Sequence, residues 1–205
     1  YLQTGPELAQ GLVASPFLMY TAALRMQPTD GQVLATIKEP YFNRTYGHYC
    51  SHQNTPNRLE DAPHPGAIRK GKLVYLPHAL GALYYEHGAR VHRDLFNNAL
   101  NLIYTQPTCY AELPSAGRVT LLHQPAKRRY VAHLLYGPPL QRGRCLVIED
   151  LPPLYNVPLE VRVPQAIRRI TLPLLGQELP LKMAGDAVRV VVPEVQGHQM
   201  VVFTY

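Results

Sequence analysis

Residues 41–58 read YFNRTYGHYCSHQNTPNR and hold the densest collection of reactive and recognition side chains in the sequence. His48, Cys50 and His52 fall at i, i+2 and i+4, so in an extended segment they point to one side. Two imidazoles and a thiolate on one side are zinc-ligand types. Successive ligands there lie about 6.6 Å apart along the strand, whereas zinc draws each ligand to about 2.0–2.3 Å. Bringing in all three needs a bulge, and no CxxC or HxxxH elsewhere supports the site. No metal ligand and no cofactor is assigned. As a nucleophile, Cys50 would need a base in reach and an oxyanion hole. Histidines are present, but nothing marks a helix N-terminus or a backbone nest after it, and a small buried cysteine is the simpler reading.

Carboxylates offer no better catalytic set. A glycosidase of the usual kind flanks its bond with two. Glu39, Glu60, Asp61, Glu86 and Asp94 are scattered through the first half, and none follows a barrel strand. Glu149 and Asp150 are adjacent, so on a strand they would face opposite ways; they read as a turn between apolar stretches. No catalytic residue is assigned. Recognition remains. Tyr41, Phe42, Tyr46 and Tyr49 supply flat faces, while Arg44, His48, His52, Gln53 and Asn54 supply donors and acceptors. That set suits a sugar, whose C–H faces stack and whose hydroxyls need paired partners. It equally suits a subunit contact, where Tyr and Arg are enriched. Both readings stay open, and a loop crossing an interface into a neighbour's cleft would satisfy both.

The elements that must position this loop differ between the two halves. FLMYTAALRM (17–26) is apolar and strand-like, Asp30-Gly31 marks a turn, and QVLATIKEP (32–40) reads as a second strand ending at Pro40. The 41–58 stretch runs on into the proline-rich NTPNRLEDAPHPG, after which KLVYLP (72–77) is a short strand. Residues 79–104 read as helix. Val91, Leu95, Ala99 and Leu102 recur at helical spacing, Leu100 and Ile103 widen the stripe, and Gly88 breaks the segment in two. From about residue 112 only strands appear: RVTLLH, RYVAHLLY, VPLEVRV, IRRITLP, ELPLKM, AVRVVV and QMVVFTY, parted by turn signals. Seven short strands at this spacing predict an antiparallel sandwich. Leu159, Val161 and Val163 share one face, with Glu160 and Arg162 on the other.

Bulk properties narrow the partners. Hydrophobic residues make up 46% and charged ones 17%, a globular composition rather than a disordered one. No apolar run approaches the ~20 residues needed to span a bilayer, so no membrane partner is expected. Lys and Arg outnumber Asp and Glu by 20 to 14, but they are scattered, and the one dense cluster, Lys127 to Arg129, reads as a solvated turn. No nucleic-acid partner is expected. Three distant cysteines, Cys50, Cys109 and Cys145, suggest no disulfide framework and lean towards a reducing, cytoplasmic compartment. The sequence opens on Tyr1 rather than Met, and a fragment or processed product is expected.

Four segments together resemble a known group: EPYFNRTYGHYCSHQNTP, GKLVYLPHALGALYYEHGARVHRDLFNNAL, RYVAHLLYGPPLQRGRCLVIEDLPPLYNVPLEVRVP and VPEVQGHQMVVFTY. They are similar to the C-terminal part of bacterial glycoside hydrolases of the "hypothetical glycosyl hydrolase 6" group, which includes family 151 α-L-fucosidases, and more distantly to family 42 β-galactosidases. In those enzymes a (β/α)₈ catalytic barrel precedes a β-galactosidase-type trimerisation domain and a small β domain. The resemblance runs from about Phe17 to Tyr205. It implies an α+β chain: the second half of a partial α/β, class I amidotransferase-like layer domain over residues 1–110, then an antiparallel β-sandwich over 111–205. It implies a non-catalytic assembly region of an exo-glycosidase, with the barrel of the same parent protein, further copies of the chain and, through the parent, a carbohydrate as partners. Nothing here matches the barrel, so no catalytic residue carries over. The resemblance also implies that Arg44, Tyr46, His48 and His52 line or support a neighbouring protomer's sugar pocket; Tyr46, Gly47 and Tyr49 stand where members of the group are expected to vary. A stand-alone carbohydrate-binding sandwich is the alternative, against which the second half has no Trp and only dispersed aromatics. A thiol-dependent amidotransferase relative would need a nucleophile elbow after a strand, and none is visible.

Overall fold

The computed structural model describes residues 1–205 and is a β-rich α+β protein. Its contacts divide it into two compact units, Tyr1–Thr105 and Gln106–Tyr205.

The first unit contains β1 (Leu2–Thr4), β2 (Gln32–Ile37), β3 (Pro65–Lys70) and β4 (Leu73–Tyr75), in that order across one sheet, followed by α1 (Leu80–His87) and α2 (Arg90–Asn101). All three strand pairs are antiparallel, whereas an amidotransferase-like layer would pair its strands in parallel. The turn Gly71-Lys72 between β3 and β4 is far too short for the crossover that parallel pairing requires. A register shift at Leu34–Ala35 turns both residues inward in succession, and the Gly5 amide takes up the displaced Leu34 carbonyl at 2.8 Å. Sheet and helices share one core built on Leu2, Leu34, Ile37, Ala67, Leu83 and Leu95.

Three details depart from the sequence pattern. FLMYTAALRM forms no strand: Phe17 makes a single bridge to Leu2, and only Met19 of the segment is fully buried. The edge it meets is β1, which is only three residues long and engages the segment at that one bridge. The strand β3 lies where the proline-rich composition reads as loop. Pro65 is its first residue, where the missing N–H is tolerated, and Gly66 next to it packs against Leu2 and Ile37 too closely for any side chain. On α2 the buried face is His92, Leu95, Asn98 and Ala99, and Leu100 is exposed. Asn98 earns its inward place by donating Nδ2–H bonds to the Leu8 carbonyl at 2.7 Å and the Gln10 carbonyl at 2.8 Å. Gly88 does part the two helices. It adopts φ 62°, and its amide closes α1 on the Tyr84 carbonyl.

The second unit is a sandwich. Its strands are β5 (Cys109–Ala111), β6 (Gly117–Gln124), β7 (Arg129–Tyr136), β8 (Leu140–Arg142), β9 (Cys145–Val147), β10 (Leu154–Val161), β11 (Arg169–Leu172), β12 (Gln177–Leu179), β13 (Lys182–Ala184), β14 (Ala187–Val195) and β15 (Gly197–Thr204). One sheet runs β13-β14-β10-β5, the other β12-β11-β15-β7-β6, and β8-β9 form a separate hairpin. Register and alternation agree. Val157, Leu159 and Val161 stand opposite Val192, Val190 and Val188, while Tyr130 and Ala132 stand opposite Phe203 and Val201, and all of these side chains enter one core. ELPLKM is split by Pro180 into β12 and β13, which join different sheets. Lys127 and Arg128 form the exposed β6–β7 turn, with Arg128 at φ 47°. On the outer side, Glu160 accepts from Arg189 at 2.6 Å and pairs with Arg162 at 2.5 Å.

Candidate functional site: the 41–58 loop and the cleft beside it

The loop is a finger closed at its base. Pro40 bridges Asn57, the Tyr41 amide donates to the Pro56 carbonyl at 3.0 Å, and the Arg58 amide donates to the Glu39 carbonyl at 2.8 Å. Its tip is a tight turn in which Thr45 and His48 exchange backbone hydrogen bonds of 2.8 and 3.3 Å. Tyr46 and Gly47 are its two central residues, and Tyr46 is fully exposed there. Arg44 ties the finger across its width, donating from Nη1 to the Gln53 carbonyl at 2.6 Å.

The His48, Cys50 and His52 side chains are not gathered. The His48 ring stacks on Phe42 with centroids 3.9 Å apart and planes 13° from parallel. The Cys50 thiol turns to the carbonyls of His52 and Asn54, at 3.5 and 3.8 Å. His52 is exposed. No group of three or more His, Cys, Asp or Glu side chains in the chain has metal-holding geometry. Cys50 therefore has local carbonyl acceptors rather than a base.

Beside the finger lies a cleft of about 560 Å³, within the first unit. Residues 18–25 form one wall, and residues 39–44 and 53–55 another, with His64 and His78 between them. Arg44 lines it; Tyr46, His48 and His52 do not. The side chains that give the cleft its chemistry are ones the sequence pattern does not single out. Glu39 is approached by the Arg25 guanidinium at 3.5 Å and the His64 imidazole at 3.4 Å, both on Oε1. Tyr1 donates its hydroxyl to the Thr55 carbonyl at 2.6 Å and fixes that wall; burial pushes its phenol above the ordinary range. The hydroxyl oxygens of Thr21 and Thr55 and both ring nitrogens of His78 are buried without a well-formed hydrogen bond. Burial holds the His78 pKa below the ordinary imidazole value, and the neighbouring Thr21 backbone only partly opposes this, so the ring is neutral at pH 7. Residues 21, 25, 39, 55, 64 and 78 share no spacing or motif; only the fold of the first unit assembles them.

No family model matches the chain, and no curated protein matches it. Among solved structures, the chain is similar to α-L-fucosidase isoenzyme 2 from Paenibacillus thiaminolyticus, at 32% sequence identity and a TM-score of 0.93. The match covers 100% of this chain and 31% of that one, so the chain spans about a third of the length of the protein it matches. Its two-unit, β-rich architecture is thus shared with one part of that α-L-fucosidase.

Proposed function

We propose that this chain is the non-catalytic C-terminal assembly region of a multidomain exo-glycosidase of the α-L-fucosidase type. The observation that carries this reading is the likeness of the whole chain to less than a third of a fucosidase chain, at 32% identity. The first unit is then the second half of the trimerisation-type domain, and the second unit the C-terminal β domain, as in family 151 enzymes and, more distantly, family 42. The partners are the (β/α)₈ barrel of the same parent protein, which carries the catalytic carboxylates and takes the carbohydrate, and further copies of the chain. The finger supports an assembly role: Tyr41, Tyr46 and Tyr49 are exposed on a projection braced by Arg44, and exposed tyrosines are favoured contact residues. Arg44, Tyr46, His48 and His52 would reach, or hold in place, the sugar pocket of a neighbouring protomer. All three cysteines are free, which suits a reducing compartment such as the cytoplasm, and no helix is long and apolar enough to cross a membrane.

The test uses the purified 205-residue chain. It is expected to leave p-nitrophenyl α-L-fucopyranoside and p-nitrophenyl β-D-galactopyranoside intact and to self-associate in sedimentation velocity. Hydrolysis by the pure chain would overturn the non-catalytic assignment, and a strictly monomeric chain at high concentration would overturn the assembly role.

A further inference from the structure

The cleft of the first unit has the chemistry of a binding site in its own right. Its volume of about 560 Å³ falls in the range of small-molecule sites, roughly 300–1,000 Å³. Its polar groups are of mixed kind. Arg44 spends one of its five N–H donors on Gln53 and keeps the others. Glu39 is approached by both Arg25 and His64 on Oε1, which leaves Oε2 the more open oxygen. The amides of Asn43 and Asn54 line the rim, and each offers donors and an acceptor. Tyr20 and Phe42 also line it, each ring packed on one side against a histidine, His87 and His48 respectively.

This mixture selects among ligands. A carboxylate in the cleft repels an anion, and two arginines repel a cation. A hydroxyl group donates once and accepts up to twice, so it uses carboxylate, guanidinium and amide together. The wall behind these groups is polar as well. Of the six buried side-chain polar atoms without a partner, four belong to Thr21, Thr55 and His78, all of which line this cleft. Native folds leave few such groups unpaired, and here most of them collect in one place.

We propose that this cleft binds a neutral pyranose, held by Glu39, Arg25 and Arg44 with Asn43 and Asn54 at its rim. The mixed donors and acceptors argue for a polyol by themselves; the narrowing to a sugar rests on the glycosidase reading. All of the residues named here belong to the first unit.

The experiment is a ¹⁵N–¹H correlation titration of the 205-residue chain with methyl α-L-fucopyranoside and methyl β-D-galactopyranoside, to tens of millimolar. Saturable shifts confined to residues 18–25, 39–44 and 53–55 are expected with at least one of them. Glu39→Gln should weaken binding about tenfold, as loss of one charged hydrogen bond predicts. Asn54→Ala, whose side-chain amide makes no bond within the fold, serves as a second variant and should weaken it several-fold. Glu178→Gln, in the second unit, should leave it unchanged. The proposal is overturned if neither glycoside gives saturable shifts, or if the shifts map to the sandwich. It is equally overturned if sodium acetate or glucuronate binds instead and Glu39→Gln strengthens that binding, the mark of an anion site. Because binding is read without turnover, its absence leaves the assembly role standing, and hydrolysis by the pure chain would sink that role without touching the cleft.

Discussion

Replacing Gly66 with alanine tests the packing that places β3 in the sheet. A Cβ built there would sit well inside contact distance of Leu2 Cδ1 and 3.1 Å from both Ile37 Cδ1 and the Thr36 carbonyl oxygen. Leu2 is completely buried and Ile37 nearly so, so neither can swing into solvent to make room. Overpacking of this kind costs about 1–3 kcal/mol. Against it, alanine restricts the unfolded chain and returns about 0.4–1 kcal/mol. The clash wins, and Gly66→Ala should destabilise the first unit by about 1 kcal/mol. Leu2→Ala alone should cost about 2–5 kcal/mol through the cavity it leaves. In the double variant the new methyl enters space vacated by Leu2, so the two losses should fall short of additive by about 1 kcal/mol. The measurement is urea unfolding, with the transition of the first unit identified by hydrogen exchange of the β2 and β3 amides. A Gly66→Ala loss below about 0.5 kcal/mol, or strict additivity with Leu2→Ala, would refute this account of the β3 packing.

Three further outcomes are expected. His92 is 1% exposed with neither ring nitrogen paired, and burial, aided by nearby His87, lowers its pKa. The stability tied to its neutral form is therefore present above the unfolded value of about 6.5 and lost as pH falls towards the lower folded value. His92→Leu should match the parent at pH 7 and exceed it in urea midpoint near pH 5. Asn98→Ala should cost about 2–3 kcal/mol in the same unfolding assay, since it strands the Leu8 and Gln10 carbonyls. Hydrogen bonding from Arg189, with Arg162 adding to it, holds the Glu160 carboxyl below its usual range. Glu160→Gln should therefore lower the stability of the second unit by about 1 kcal/mol near pH 7, and the difference should begin to shrink below the unfolded value of about 4.3 and be lost as pH falls through the depressed folded value.

The second unit was legible where sequence period and burial coincide. Val157, Leu159 and Val161 alternate in the sequence and all point into the core, because a half-buried strand has a period of two. Each of the seven predicted strands corresponds to a strand of the structure, with ELPLKM divided at its proline. The three-residue β5, β8 and β9 carry too few side chains to show a period. In the first unit, local composition misleads at both FLMYTAALRM and PGAIRK. The apolar segment meets only the three-residue edge strand β1, and the proline- and glycine-containing one fills the slot between β2 and β4 because Gly66 allows close approach. Asn98 broke the apolar stripe of α2, since hydrogen bonds to a distant backbone hold its polar side chain inside, and spacing along a helix carries no record of them; His92 is buried there with neither ring nitrogen paired.

The candidate site divides along the same line. The finger announced itself by composition: aromatic, imidazole and guanidinium groups concentrated in eighteen consecutive residues need no fold to be noticed. Which of them would face a cleft was decided by the turn at Thr45–His48 and the Phe42–His48 stack, which carry Tyr46 and His48 away and leave Arg44 on the wall. Glu39, Arg25, His64 and Thr55 come from four separate stretches, and only tertiary packing brings them together. Sequence pattern records what neighbours along the chain do to one another; a cleft is made by residues that are not neighbours until the core beneath them has closed.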